Sequence, residues 1–168
     1  LFRSRGAKKY GTTLLLTKNG TDFETLVDDL YTESGPTEAT LRFAADNTLY
    51  CLQRRDGKPS NTALLGTSRK IPYDEWTWKD LGKYFGGPNF IQIPDGRWIA
   101  VGRLLNYSAD KKTKTVVCEL DVTKGELNPL LDLPSGGDSS YPGLVWHDGQ
   151  LWISYYRSEE HTSELQSH

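Results

Sequence analysis

Gly87-Pro88-Asn89-Phe90-Ile91-Gln92-Ile93-Pro94-Asp95-Gly96-Arg97-Trp98-Ile99-Ala100-Val101-Gly102-Arg103 is the stretch on which the fold of this chain turns. It reads as a short strand, a turn on Asp95-Gly96, and a second apolar strand ending on an arginine. Asp-Gly between two such runs is a strong hairpin signal, because glycine adopts the positive φ that a tight turn needs. The same plan recurs on both sides. Upstream, Glu38-Ala39-Thr40-Leu41-Arg42-Phe43 leads through Asp46-Asn47 to Leu49-Arg54. Downstream, Tyr141-Pro142-Gly143-Leu144-Val145-Trp146 leads through Asp148-Gly149 to Leu151-Tyr156. The pitch is about fifty residues, the spacing of repeated supersecondary units.

A second kind of hairpin alternates with the first. Thr13-Lys18 leads through Asn19-Gly20 to Phe23-Val27, Ala63-Ser68 leads to Trp76-Leu81, and Thr115-Asp121 leads to Leu127-Leu131. One hairpin of each kind makes a four-stranded antiparallel blade. The expected fold is therefore all-β, a partial β-propeller with the outer half of one blade, two whole blades and the inner half of another. No apolar periodicity of 3.6 residues has useful length. About three blades do not close a ring, and open sheet edges are a liability, so the chain alone is expected to be poorly stable. Ser34-Gly35-Pro36, Gly86-Gly87-Pro88 and the run Ser135 to Ser140 each precede an inner strand. Glycine there lets the backbone approach a ligand, or simply makes the crossing between blades.

The 168 residues suffice for one domain with a core, and the net charge is −2. No basic run breaks that balance, which argues against a nucleic-acid partner. The longest apolar stretches are strand-length, so no membrane span is expected. Cys51 and Cys118 lie inside apolar strands and read as buried free thiols. The chain opens on Leu1-Phe2 without an initiator Met. Residues 157–168, RSEEHTSELQSH, have no strand pattern and read like a translated sequencing adapter. The expected division is thus 1–156 as partial propeller and 157–168 as a non-natural tail that takes His161 and His168 with it. His147 then sits alone in a hairpin turn, and no metal site or other cofactor is expected. The compartment is left open, with a lean to a secreted or periplasmic one.

Propellers bind ligands where the inner strands begin. There Glu38, Gly87 and Tyr141 stand at slots read as equivalent, with Gly87 expected to leave an opening. Arg54, Arg103 and Tyr156 each stand eight residues after their turn aspartate. One rim would collect a carboxylate, two guanidiniums and two phenols. Singly, a glutamate at a strand start or an arginine at a strand end is commonly a solvated charge. Their joint occurrence at matched spacing points to a site.

These residues resemble the exo-sialidase family, whose fold is a propeller of six blades. In that family a glutamate opens an inner strand, and the following strand ends in Asn-Ser-Arg or Asn-Ala-Arg. Glu38 and Leu52-Gln53-Arg54 have this layout. A later Tyr-Ser-x-Leu strand is matched by Tyr141-Pro142-Gly143-Leu144, with Pro142 in place of serine. Thr17-Lys18-Asn19-Gly20-Thr21-Asp22-Phe23 is a degenerate form of the family's Asp-box turn. The resemblance covers Thr13 to Tyr156. It implies a retaining glycoside hydrolase that releases terminal sialic acid from a sialylated glycan or related acidic sugar. Tyr141 would be the nucleophile, Glu38 its base, and Arg54 a ligand of the substrate carboxylate. The chemistry is coherent, because a neutral phenol is not repelled by the carboxylate at the anomeric centre, and arginine's planar fork suits that carboxylate. The third arginine of the family is represented by Arg103, or by Lys112 or Lys114; Arg55 competes with Arg54. The family's first arginine and its aspartate acid lie upstream of the matched segment. The alternatives are a non-catalytic glycan-binding propeller and a structural one. Trp76, Trp78, Trp98 and Trp152 read as packing aromatics.

Overall fold

A computed structural model describes residues 10–105, 113–135 and 139–158. Among them there is no helix. The strands are β1 (Thr12–Thr17), β2 (Phe23–Tyr31), β3 (Pro36–Phe43), β4 (Leu49–Arg55), β5 (Leu64–Ser68), β6 (Thr77–Asp80), β7 (Phe85–Gln92), β8 (Trp98–Leu104), β9 (Lys114–Asp121), β10 (Glu126–Asp132), β11 (Ser139–His147) and β12 (Gln150–Arg157). They form four antiparallel meanders in chain order: β1-β2, β3-β4-β5-β6, β7-β8-β9-β10 and β11-β12. The all-β expectation holds, as does the alternation of hairpins. The sheets do not close on themselves. Among the described residues no helix is long and apolar enough to cross a membrane.

The turns form for the reason the sequence suggests. Asp46 Oδ1 accepts the Thr48 N–H at 2.9 Å and Asp95 Oδ1 accepts the Arg97 N–H at 3.0 Å. The residues after them, Asn47 at φ 64° and Gly96 at φ 92°, carry the left-handed backbone. In the β1–β2 turn, Asn19 Oδ1 accepts the N–H groups of Thr21 and Asp22 at 3.0 and 2.9 Å. The polar residues of this stretch thus replace the main-chain bonds that a two-residue turn would make.

Successive sheets pack face to face through three apolar clusters. Leu14, Leu30 and Cys51 join β1-β2 to the first four-stranded sheet. Tyr50, Leu52, Phe85, Phe90, Trp98 and Leu127 are among the residues joining the two four-stranded sheets. Val101, Val117 and Leu144 join the second of these to β11-β12. The first strands of neighbouring sheets are also tied by polar groups. Thr40 Oγ1 donates to Pro88 O at 2.7 Å, Arg42 Nη2 to Asn89 Oδ1 at 2.7 Å, and Asn89 Nδ2 to Pro142 O at 2.7 Å. These bonds fix how far each first strand slides along the next, and so place the strand heads that carry the site.

Cys51 and Cys118 are both free and buried, as read from the sequence, and burial pushes each thiol up to about 12. Trp98 packs between Tyr50 and Phe90, and Trp76 stacks on Trp78 at 5.8 Å. Trp152 departs from the expectation of a packing aromatic, being 58% exposed. Strand β12 runs one residue past the expected boundary, since Arg157 pairs with Ser139. The rest of the anticipated tail from 159 onward, including His161 and His168, lies outside the described residues. So do Lys112, Gly136, Gly137 and Asp138.

Candidate functional site

Strands β3, β7 and β11 each carry one break in register near the start. It falls between Pro36 and Ala39, between Gly86 and Asn89, and between Ser140 and Gly143. Such a bulge places two residues against one and turns the strand locally, which re-aims the side chains at the strand head. Counted from the break, Tyr141 is level with Gly87 and Thr37, and Glu38 lies one residue further along. The single shared slot expected for Glu38, Gly87 and Tyr141 is therefore corrected by one residue, because the break stands at a different distance from the turn aspartate in each strand.

The side chains nevertheless meet. The Tyr141 hydroxyl donates to Glu38 Oε1 at 2.7 Å, across 103 residues of sequence. Arg54 Nη1 donates to the same oxygen at 2.8 Å. The other oxygen, Glu38 Oε2, accepts the Gly87 N–H at 2.6 Å. Three neighbouring sheets thus deliver donors to one carboxylate. Arg54 is held in turn by Asp56, whose Oδ1 accepts from Nε at 2.8 Å, and its guanidinium lies 5.2 Å over the Tyr84 ring. Asp56 Oδ2 also accepts the Thr37 hydroxyl at 3.0 Å, which ties the bulge of β3 to the end of β4. The Tyr141 and Tyr156 rings lie nearly parallel at 6.2 Å. Tyr141 is 58% exposed, so its oxygen is accessible from solvent while hydrogen-bonded to a half-buried acid.

Gly87 does not leave an opening, as the sequence had suggested. It is buried beneath Ser140, and a Cβ there would collide with Ser140 Oγ and lie 2.9 Å from Ser140 Cβ and 3.0 Å from Tyr141 N. Ser140 Oγ donates to Gly86 O at 3.1 Å and to Gly87 O at 3.3 Å. The start of β11 is therefore clamped onto β7. Tyr141 has φ 51°, a conformation that costs energy for a residue with a bulky side chain and is found where surrounding structure over-determines it. The lack of a side chain at Gly87 is what lets Ser140 sit close enough to hold Tyr141 in that state.

The electrostatics follow from this geometry. Burial works to raise the Glu38 carboxyl, but the hydrogen bonds from Tyr141, Arg54 and Gly87 and the Arg54 charge outweigh it, leaving the group below the ordinary carboxylate value. The Tyr141 phenol is pushed above its ordinary value, first by its hydrogen bond to Glu38 and then by that residue's negative charge; Arg54 and Arg103 oppose this. At neutral pH the pair is a neutral phenol donating to a glutamate anion. Because the folded-state value of Glu38 is depressed, its contribution to stability is present above the unfolded value and is lost as pH falls through the folded value. Wild type is expected to exceed Glu38→Gln in urea midpoint at pH 7. That advantage should persist to about pH 4.5 and vanish only in more acidic buffer. Equal midpoints at pH 7 would remove the electrostatic account.

The remaining candidates are placed as follows. Arg55 does not compete with Arg54, because its buried side chain points to the other face. There it pairs with Asp80 at 2.6 Å and donates to Thr62 O and Thr62 Oγ1 at 2.6 and 2.7 Å. Arg103, half-buried on β8, is near enough for its positive charge to favour the phenolates of Tyr141 and Tyr84. Lys114 lies on β9 opposite Leu104, with Asp132 at 3.2 Å from its amine. His147 is exposed at the end of β11, and among the described residues no group of three His, Cys, Asp or Glu could hold a metal. Asp56, Tyr84 and the Gly87 N–H were not read from the sequence. Asp56 directly follows β4 in a common Asp-Gly pair, and nothing in its neighbours marks it as a partner of Arg54.

No family model and no curated protein matches this chain. Among solved structures it is similar to a crystal structure of a protein of unknown function from Dyadobacter fermentans DSM 18053. The TM-score is 0.69 at 17% identity, covering 87% of this chain and 41% of that one. This likeness concerns the fold. The chain spans less than half of that protein's length.

Proposed function

We propose that the chain is part of a six-bladed propeller acting as a retaining exo-α-sialidase-like glycoside hydrolase. The observation that carries this reading is the 2.7 Å bond from the Tyr141 hydroxyl to Glu38 Oε1, with Arg54 on the same oxygen. A phenol is a poor nucleophile until a base takes its proton, and Glu38 is within direct reach of that proton. As the Tyr141 oxygen attacks the anomeric carbon, its proton passes to Glu38 Oε1 and the bond to the leaving oxygen breaks. Water then releases the sugar from the tyrosyl ether, with net retention. The Gly87 N–H and Arg54 hold the carboxylate still, which keeps the base oriented. Arg54 Nη2, which bonds neither Glu38 nor Asp56, is available to a substrate carboxylate, and Arg103 adds positive charge nearby. The acid that protonates the leaving oxygen, and a further arginine, come from blades beyond these residues.

The test is release of free sialic acid from a fluorogenic sialoside by the complete ring that contains this segment. Release is expected for the complete ring and not for the 168-residue chain. Arg54→Ala in the complete ring should weaken binding of a carboxylate-bearing sugar by roughly 2–5 kcal/mol. Binding without release identifies a non-catalytic glycan-binding propeller instead. Neither binding nor release removes the sialidase reading and leaves only the fold.

A further inference from the structure

At their breaks in register, strands β3, β7 and β11 set two residues against one. Thr37 and Glu38 stand against Arg54, Gly87 and Pro88 against Gly102, and Tyr141 and Pro142 against Tyr155. Main-chain groups in such a bulge leave the regular ladder and need other partners. In all three strands the carbonyl of the second bulged residue takes a side-chain donor. Gln53 Nε2 donates to Glu38 O at 3.0 Å, Thr40 Oγ1 to Pro88 O at 2.7 Å, and Asn89 Nδ2 to Pro142 O at 2.7 Å. The first of these bulges carries the proposed base.

Gln53 is wholly buried on β4, and the next residue, Arg54, faces the other way. Its Nε2 also donates to Arg54 O at 2.7 Å. Both neighbours are carbonyl oxygens, which only accept. The nitrogen end of the amide therefore faces them, and both of its N–H donors are used. One side chain thus joins the main chain of Glu38 to that of Arg54, the two residues whose side chains meet at 2.8 Å. The remaining atom, Gln53 Oε1, is buried and has no hydrogen-bond partner among the described residues. A buried acceptor in that state costs stability. An apolar side chain of the same length would escape that cost, but it would leave the bulge carbonyl without its donor.

We infer that Gln53 is a positioning residue: its buried amide fixes the β3 bulge, and with it the place of the Glu38 carboxylate against Tyr141 and Arg54. The side chain lies on the face of β4 away from the site, so it acts through the main chain of its neighbours and supplies no group to a substrate. Tyr141 belongs to another sheet, where Ser140 clamps the strand that carries it. A shift of the β3 bulge therefore moves the base relative to the phenol. What that shift does to turnover rests on the sialidase reading above; the hold on Glu38 does not.

Gln53→Met in the complete ring removes both donors at nearly constant length. The Glu38 titration, read by carboxylate NMR of selectively labelled protein, should move upward, because burial, which raises it, is then less opposed by the bonds from Tyr141 and Arg54. The kcat should fall about 10- to 100-fold with KM within about threefold of wild type. Gln53→Glu, kept neutral by burial, offers one O–H donor in place of two N–H donors. It should fall between wild type and Gln53→Met on both readouts, and it carries the test if Gln53→Met fails to fold. Leu120→Ala opens a cavity in the core between the two four-stranded sheets, so it should lower the melting temperature and leave both readouts at their wild-type values. An unmoved Glu38 titration, an unchanged kcat in an active ring, or the same changes in Leu120→Ala would each overturn the inference. If the wild-type ring has no turnover, the sialidase reading falls, and the titration alone decides the role of Gln53.

Discussion

Tyr141→Phe is expected to lower the kcat of the complete ring by at least about 10³-fold while changing ligand affinity by no more than about threefold. The substitution removes one oxygen. It leaves the ring, its near-parallel neighbour Tyr156 and the Ser140 clamp in place. What disappears is the atom that attacks in the proposed reaction, together with the donor at 2.7 Å from Glu38 Oε1. A second readout comes from that lost donor, independent of turnover. The Tyr141 bond is among the interactions that hold the Glu38 carboxyl low, so the Glu38 titration in Tyr141→Phe should move upward. Carboxylate NMR of selectively labelled protein reads that shift directly. Acid quenching of the wild-type ring during turnover, followed by peptide mass spectrometry, should find the sugar attached to the peptide containing Tyr141. An unchanged kcat in Tyr141→Phe, or the sugar found on Glu38, would reject the tyrosine as nucleophile.

The hairpins were legible because their causes are local. Asp46 and Asp95 each stand at a turn that a carboxylate and a following left-handed residue produce by themselves, Asp148 and Gly149 make the third with two left-handed residues, and alternation along the flanking strands does the rest. Repetition of that pattern was enough to bring Glu38, Arg54 and Tyr141 to one end of the sheets. The details within the site depend on contacts that no local pattern encodes. Where a break in register falls along a strand is a main-chain event, so the relative placement of Glu38 and Tyr141 is set by that register and not by their count from the turn aspartates. Gly87 was read as a gap because nothing in its own segment shows Ser140, 53 residues later, packing over it. Arg54 and Arg55 could have been separated, since neighbours on a strand point to opposite faces. What was missing was which face of β4 carried the site. That depends on the register of the bulge. Asp56 and Tyr84 act only through Arg54, and supporting residues of that kind become visible when the guanidinium they hold has been placed.

Gly87→Ala should be a strongly damaging addition of a single methyl group. Two costs add at this position. The backbone has φ 55°, where a Cβ costs about 1–2 kcal/mol. The new methyl also collides with Ser140 Oγ and lies 2.9 Å from Ser140 Cβ, and crowding of that kind typically costs about 1–3 kcal/mol. The sum, about 2–5 kcal/mol, corresponds to a fall in melting temperature of roughly 5–15 °C for a chain of this size. Gly20→Ala is the internal control, with φ 80° but nothing within 4 Å of the added carbon, so only the backbone cost should appear. The functional consequence at Gly87 exceeds the loss of stability. To admit the methyl, Ser140 must move away from β7, and Tyr141 moves with it. The Gly87 N–H moves as well, so Glu38 loses alignment on both oxygens at once. A displacement of about 1 Å at a reacting group can cost about 100-fold in rate. Turnover by the complete ring carrying Gly87→Ala should therefore fall by about that factor even at temperatures where it remains folded, whereas Gly20→Ala should match wild type. If Gly87→Ala lowers the melting temperature but leaves kcat unchanged, Ser140 does not position Tyr141, and the strained start of β11 serves packing alone.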